Sequence, residues 1–159
     1  MGPMAGVEEL FEREYARLVR SLGVAFGADA AADAVQEAFI RADRHWRRVS
    51  RYDDPAGWVR RVAVNRLLTG RRTQRRRADI LATVRPVPPE ELLDAQLDLR
   101  REVEALPPRM RLAICLHYLA GLGVDEVAAA LGVAPGTVKS NLHDARARLR
   151  ERLEVQHHD

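Results

Sequence analysis

Apolar residues recur every three or four positions along almost the whole chain: Leu10, Phe11, Tyr15, Leu18 and Leu22, then Ala31, Ala34, Val35, Ala38 and Phe39, then Trp58, Val62, Val64, Leu67 and Leu68. That spacing lines one face of a helix, and no stretch alternates as a half-buried strand does. The pattern predicts helices over about 7–26, 29–46 and 54–72. Gly27 separates the first two. Pro55 suits the first turn of the third, with Asp53 or Asp54 as its cap.

The pattern fails over 78–92, where Pro86, Pro88 and Pro89 cannot sustain a helix and Glu90 and Glu91 add acid charge. This stretch reads as a flexible linker between two lobes. Beyond it, helical spacing predicts four further helices over about 92–106, 108–120, 124–131 and 135–153, broken at Pro107, at Gly121 to Gly123 and at Gly132 to Ala134. A chain of 159 residues, 47% hydrophobic and 31% charged, buries one ordinary core or two small helical ones. The fold class expected is therefore all-α, with two small helical domains over 6–77 and 93–154 joined by the linker 78–92.

Residues 124–140, Val-Asp-Glu-Val-Ala-Ala-Ala-Leu-Gly-Val-Ala-Pro-Gly-Thr-Val-Lys-Ser, have the layout of a helix-turn-helix. Ala128 is small enough for a second helix to cross closely, Gly132 takes the turn, and Val138 pins the second helix to the core. Pro135, Gly136, Thr137, Lys139, Ser140 and His143 then lie where base edges and phosphates come within reach, with Arg146 near enough for the backbone. The same spacings also serve an ordinary helical hairpin. The coincidence of a small residue, a turn glycine and a basic, polar helix start favours DNA binding. Ala134 stands where a capping Ser would contribute about 1 kcal/mol, and Asn141 and Asp144 make this helix less basic.

Charge sharpens the picture. The net charge is only +3, but residues 1–40 hold 3 basic and 7 acidic side chains, 41–77 hold 13 and 3, 78–105 hold 3 and 7, and 106–159 hold 7 and 6. The positive charge sits in one block that ends in Arg71, Arg72, Arg75, Arg76 and Arg77. All but one of the 26 basic residues are arginines. Genomic G·C bias produces the same preference for Arg over Lys, so the clustering carries the argument for nucleic acid.

Several classes fall away. No apolar run approaches the roughly 18–20 residues that span a bilayer, and Glu8 and Glu9 stand where a signal peptide carries Lys or Arg, so a cytoplasmic chain without membrane insertion is expected. The single cysteine, Cys115, allows no internal disulfide or multi-cysteine metal site, and its neighbours Leu112, Ala113, Ile114 and Leu116 mark it as a core residue. No enzyme, metal or cofactor is expected. His45, His117 and His143 are isolated, His157 and His158 fall in the tail, and Asp144 beside His143 points elsewhere on its helix.

In the first lobe, residues 32–42 (Ala-Asp-Ala-Val-Gln-Glu-Ala-Phe-Ile-Arg-Ala) turn Val35, Ala38 and Phe39 inward and leave Asp33, Gln36, Glu37 and Arg41 as a polar stripe. A solvated face accounts for the stripe equally well. Residues 58–66 (Trp-Val-Arg-Arg-Val-Ala-Val-Asn-Arg) combine an aromatic anchor with an apolar seam and a basic flank. Together with Leu106-Pro-Pro-Arg-Met-Arg and Gly136-Thr-Val-Lys-Ser, in that order, these segments resemble the extracytoplasmic-function (ECF) group of bacterial sigma factors of the sigma-70 type. The resemblance runs from about Phe11 to Leu153. Each segment alone is a weak signal; the ordered set is specific.

The resemblance implies a protein that binds core RNA polymerase and directs it to promoters. Its first lobe, region 2, would bind the clamp of the β′ subunit through Asp33, Gln36 and Glu37. The same lobe would melt and read the minus-ten element through Arg47, Arg48, Arg51, Tyr52, Arg61 and Asn65, with the 47–54 loop holding a flipped base. Single strands need a basic channel with stacking surfaces, and Trp46, Tyr52 and Trp58 are nearby, although a tryptophan such as Trp58 is more often a core residue. The second lobe, region 4, would dock on the β flap and read the minus-thirty-five element through the seven residues from Pro135 to Arg146 named above. The acidic linker would lie in the RNA exit path, and an anti-sigma factor is an implied partner. Nothing after region 4 matches the extra domain of some members, so regulation through such an extension is not expected. The rival readings are a LuxR-type helix-turn-helix regulator, which would carry a receiver or ligand domain before residue 77, and a non-specific arginine-rich nucleoid or RNA-binding protein.

Overall fold

The computed structural model describes residues 4–81 and 94–158, with side chains over 6–70 and 99–155. Among the described residues there is no strand, and no helix is long and apolar enough to cross a membrane. The first lobe holds α1 (Met4–Phe26), α2 (Ala28–Arg44), a single turn α3 (Trp46–Val49) and α4 (Pro55–Leu81). Gly27 breaks α1 from α2 with φ at 98°, a conformation that side chains with a Cβ resist. The first core closes where α2 packs on both α1 and α4, burying Leu18, Leu22, Val35, Ala38, Val59 and Val64.

The second lobe holds α5 (Asp94–Glu104), α6 (Pro108–Ile114), one π-helical turn (Cys115–Leu119), α7 (Val124–Leu131) and α8 (Pro135–His158). Pro108 opens α6 in the position where the missing N–H is least costly. The wide turn is closed by the Ala120 N–H donating to the Cys115 carbonyl and the Leu122 N–H to that of Leu116. It turns Cys115 and Leu116 inward and leaves Tyr118 and Leu119 exposed. Burial pushes the Cys115 thiol up to about 12, against the pull of Arg111, which fits a core residue. Gly132 ends α7 at φ 68°, in the left-handed region that the turn of a helix-turn-helix requires. Ala128, Val138 and Leu142 are buried beneath it.

Four differences from the sequence pattern have physical reasons. The third long helix runs to Leu81 rather than about 72 and enters the stretch read as linker. No proline intervenes before Pro86, and arginine is a good helix former. The cluster from Arg71 to Arg77 therefore rides on α4, its side chains outside the described residues, as is the proline-bearing stretch 82–93. The expected loop over 47–54 begins with the turn α3, because the Val49 and Ser50 amides find the His45 and Trp46 carbonyls. Phe11, grouped with the core by its spacing, is 40% exposed. The last helix runs to His158, past the expected end near 153.

The lobes lie against each other. α1 packs on α5, α6 and the π turn, and α4 packs along α7, so the buried apolar residues of both lobes form one continuous cluster.

Candidate functional site

The polar stripe of α2 is where helical spacing puts it. Asp33 and Gln36 are exposed and Glu37 is half-buried, while Val35, Ala38 and Phe39 fill the core. Each polar residue is held by a neighbour. Arg66 donates to Asp33 Oδ2 through Nε (3.3 Å) and Nη2 (3.2 Å), Gln36 donates to the Tyr15 hydroxyl at 3.2 Å, and Arg41 donates to Glu37 at 3.3 Å. Beside the stripe runs an apolar groove of about 370 Å³ lined by Phe11, Gln36, Phe39, Ile40, Asp43 and Arg44. Phe11 stacks on Tyr15 with ring centres 4.4 Å apart and meets Phe39 edge-on at 5.1 Å. Ile40 is 47% exposed. Sequence reasoning missed both apolar edges. The signal existed for Ile40, which lies three residues beyond Glu37 and four beyond Gln36, on the same stripe.

The second cluster surrounds the start of α4. Arg47, Arg48, Arg51 and Tyr52 are all exposed on the segment that leads into it, and Arg61 and Asn65 lie four apart on one exposed face. Of the three aromatics noted from the sequence, only Tyr52 is exposed. Trp46 and Trp58 are half-buried and packed on the core. Trp46 sits so close to α1 that a Cβ on Gly6 would come within 2.6 Å of its ring. The Arg61 guanidinium is engaged by the second lobe: its Nη1 donates to the Ala129 carbonyl at 3.3 Å.

Arg60, next in sequence, is the residue that sequence reasoning did not single out. It is 4% exposed, donating to Glu14 of α1 at 3.2 Å and to Glu126 of α7 at 3.3 Å, with Asp54 at 3.8 Å. Burial pushes the Glu14 carboxyl up, but the hydrogen bond from Arg17 and the charges of Arg60 and Arg17 outweigh it and hold Glu14 below the usual carboxylate range. Arginine within an arginine-rich block carries no sequence signal of burial.

In the second lobe, Pro135, Gly136, Thr137, Lys139, Ser140, His143 and Arg146 are all exposed on α8, while Val138, Leu142 and Ala145 bury its other face. The start of the helix is tied by Thr137 and Val138 amides donating to the Ala134 carbonyl, with an alanine methyl where a capping hydroxyl would stand. Arg146 donates to the Leu142 carbonyl at 3.2 Å, and its guanidinium lies 5.9 Å from the Tyr118 ring centre, an aromatic contact the sequence did not suggest. Between α5 and α8 lies a cleft of about 510 Å³ edged by Leu106, Leu149 and Val155. Among the described residues no three metal-ligating side chains gather.

Taken together, the chain carries a helix with an exposed polar face in one lobe and, in the other, a basic helix start beside a polar and apolar stripe. Comparison with known proteins agrees in both halves. Sigma-70 region 2 matches residues 11–77, and Sigma-70, region 4, matches residues 96–149. The chain is 36% identical over 135 residues to the RNA polymerase sigma-E factor of Streptomyces avermitilis, covering 78% of this chain and 71% of that protein. It is 32% identical over 154 residues to the ECF RNA polymerase sigma factor SigM of Mycobacterium tuberculosis, covering 93% and 77%. Among solved structures, the sigma factor RpoE in complex with the anti-sigma factor NepR from Bartonella quintana superposes with a TM-score of 0.71 at 26% identity, covering 93% of this chain and 96% of that one. CnrH in complex with the cytosolic domain of CnrY shares the fold, with a TM-score of 0.67 at 22% identity over 96% and 90%. The LuxR-type alternative finds no support, because the half before the helix-turn-helix is itself a sigma region. The chain belongs to the ECF group of sigma-70 family RNA polymerase sigma factors.

Proposed function

We propose a division of labour between the lobes within the activity of an ECF sigma factor, which binds core RNA polymerase and directs promoter recognition and initiation without being an enzyme. Residues 6–77 bind the β′ clamp through Asp33, Gln36 and Glu37, with Phe11 and Ile40 supplying apolar contact beside them. Arg47, Arg48, Arg51, Tyr52, Arg61 and Asn65 read and hold the minus-ten strand. Residues 93–154 take the β flap in the cleft between α5 and α8. Pro135, Gly136, Thr137, Lys139, Ser140, His143 and Arg146 read the minus-thirty-five element. The linker between the lobes, starting after Leu81, lies along the RNA exit path. The chain works in the cytoplasm, where the polymerase is, and an anti-sigma factor is a further partner, in keeping with the NepR complex of the similar RpoE.

The observation that carries this reading is the two-sided build of α8. All seven residues assigned to DNA are exposed while Val138, Leu142 and Ala145 are buried, so the recognition face is separate from the face that fills the core. In vitro transcription with core polymerase on fragments of the source genome tests it. Start sites that need this chain should share two upstream elements, and a requirement for only one element would remove a lobe's assigned task.

A further inference from the structure

The exposed half of α8 is not uniform. Opposite the buried Val138, Leu142 and Ala145, two stripes run along the helix at intervals of three and four residues. Lys139, His143, Arg146 and Arg150 form a basic one. Thr137, Ser140 and Asp144 form the other, two hydroxyls and a carboxylate, all exposed. Among the described residues no hydrogen bond or ion pair holds the Asp144 side chain, although arginines stand two and four positions further on. Arg146 is drawn to another side of the helix, its Nε donating to the Leu142 carbonyl at 3.2 Å and its guanidinium 5.9 Å from the Tyr118 ring centre. Arg148 edges the cleft between α5 and α8. Asp144 is thus a free carboxylate one turn beyond Ser140, on the face given to DNA.

An ionised carboxylate accepts hydrogen bonds and donates none. Set against a duplex it is repelled by the phosphates, and in the major groove it is repelled by guanine, which shows the N7 and O6 acceptors, and by thymine, which shows O4. Adenine sets its N7 acceptor beside its N6 donor, an edge that suits an amide. Cytosine presents the N4 amino group alone. We infer that Asp144 is a specificity-determining residue of α8, accepting a hydrogen bond from a cytosine amino group in the minus-thirty-five element. The basic stripe holds the duplex, and Asp144 restricts which base pair is tolerated one turn beyond Ser140. The inference rests on the reading of α8 as the helix that enters the groove of the minus-thirty-five element.

The test uses holoenzyme assembled from the full chain and core polymerase, on a promoter that needs this chain and whose upstream element has been randomised. Sequencing of the transcribed templates gives the base preference at each position. Asp144→Asn keeps the size and offers the donor and acceptor that adenine pairs with, and Asp144→Arg offers the fork that guanine pairs with. Both are compared with wild type and with Lys139→Ala. Asp144 is exposed, and circular dichroism checks that each variant is folded.

Wild type should prefer cytosine at one position of the element and use guanine or thymine there at least about tenfold less well. Asp144→Asn should move the preference at that position towards adenine and Asp144→Arg towards guanine, with the other positions unchanged. Preferences that stay as in wild type in both Asp144 variants but shift in Lys139→Ala overturn the role of Asp144 while leaving the reading of α8 intact. A gain spread evenly over all sequences, the mark of a carboxylate that only repels phosphate, does the same. No upstream base preference in wild type, and no change with Lys139→Ala, overturns the reading of α8 and the inference with it.

Discussion

Arg60 and Glu14 meet at 3.2 Å in the interior, their side chains 5% and 4% exposed, although they stand 46 residues apart in sequence. The pair is completed by Arg17, which donates to the same Glu14 oxygen at 2.8 Å, and by Glu126 from the other lobe. Glu14 Oε2 and the Nε atoms of Arg17 and Arg60 are left without partners, so the cluster depends on charge more than on complete hydrogen bonding.

Removing one charge from such a cluster leaves the others buried and uncompensated. Glu14→Gln should lower stability by about 3 kcal/mol, the lower end for a broken buried pair, because Glu126 and Asp54 stay near Arg60. The pH response follows from the direction of the shift. Glu14 is held below its unfolded value of 4.5, so the unfolded chain binds the proton more readily. Its contribution is complete above that value and is lost as pH falls through the lower folded value. Urea midpoints at neutral pH and at about pH 4 should converge between wild type and Glu14→Gln as the medium turns acid; an equal gap at both would contradict the assignment.

Asp33→Arg combined with Gln36→Ala should leave the fold intact, since exposed ion pairs such as Asp33 with Arg66 contribute no more than about 1 kcal/mol. Co-purification with core polymerase should nonetheless weaken, because the stripe loses its acceptors and gains a misplaced charge. Ile40→Glu should act in the same direction by charging the apolar groove. Undiminished core binding by a folded double variant would show that the clamp docks elsewhere.

Lys139→Ala and Arg146→Ala should reduce use of promoters that depend on the upstream element. Each lost phosphate contact should also flatten the dependence of log K on log salt by about one unit, measured by duplex binding in filter or anisotropy assays. Tyr118→Ala should mimic part of the Arg146 defect, since its ring helps hold that guanidinium. Unchanged slopes in both charge variants would rule out this docking of α8.

Arg61→Ala with Asn65→Ala should permit holoenzyme assembly but impair strand opening, where unstacking costs a few kcal/mol per base. Permanganate reactivity of unpaired thymines reads the defect, and a promoter melted in advance should restore much of the activity. Normal reactivity on the closed duplex would move this basic block towards non-specific phosphate binding.

The helices were legible because their spacing is regular and their breaks fall at Gly27, Pro107, Gly121 and Gly132, where backbone chemistry decides the outcome. The exposed face of α8 was legible for the same reason: Val138 and Leu142 fix its phase. The roles of Arg60 and Phe11 were not. Periodicity marks Phe11 as core, yet the groove between α1 and α2 leaves it at the rim. Nothing local distinguishes Arg60 from Arg61, although one is buried and the other exposed. Their difference is set by Glu14 and Glu126, two residues that sequence reading cannot bring together. The wide turn at Cys115 to Leu119 was equally hidden, because a π turn and an α turn share their composition.

The packing of α4 along α7 also bears on how this factor would compete with other sigma factors for a limited supply of core enzyme. If core engages the open form, the apparent dissociation constant is the intrinsic one divided by the open fraction, so a chain open about one part in a hundred binds about a hundredfold more weakly than its contacts permit. Promoter output would then respond to small changes in the opening equilibrium as strongly as to changes in protein copy number. A partner that merely favoured the closed form would silence the factor without covering a single promoter-reading residue.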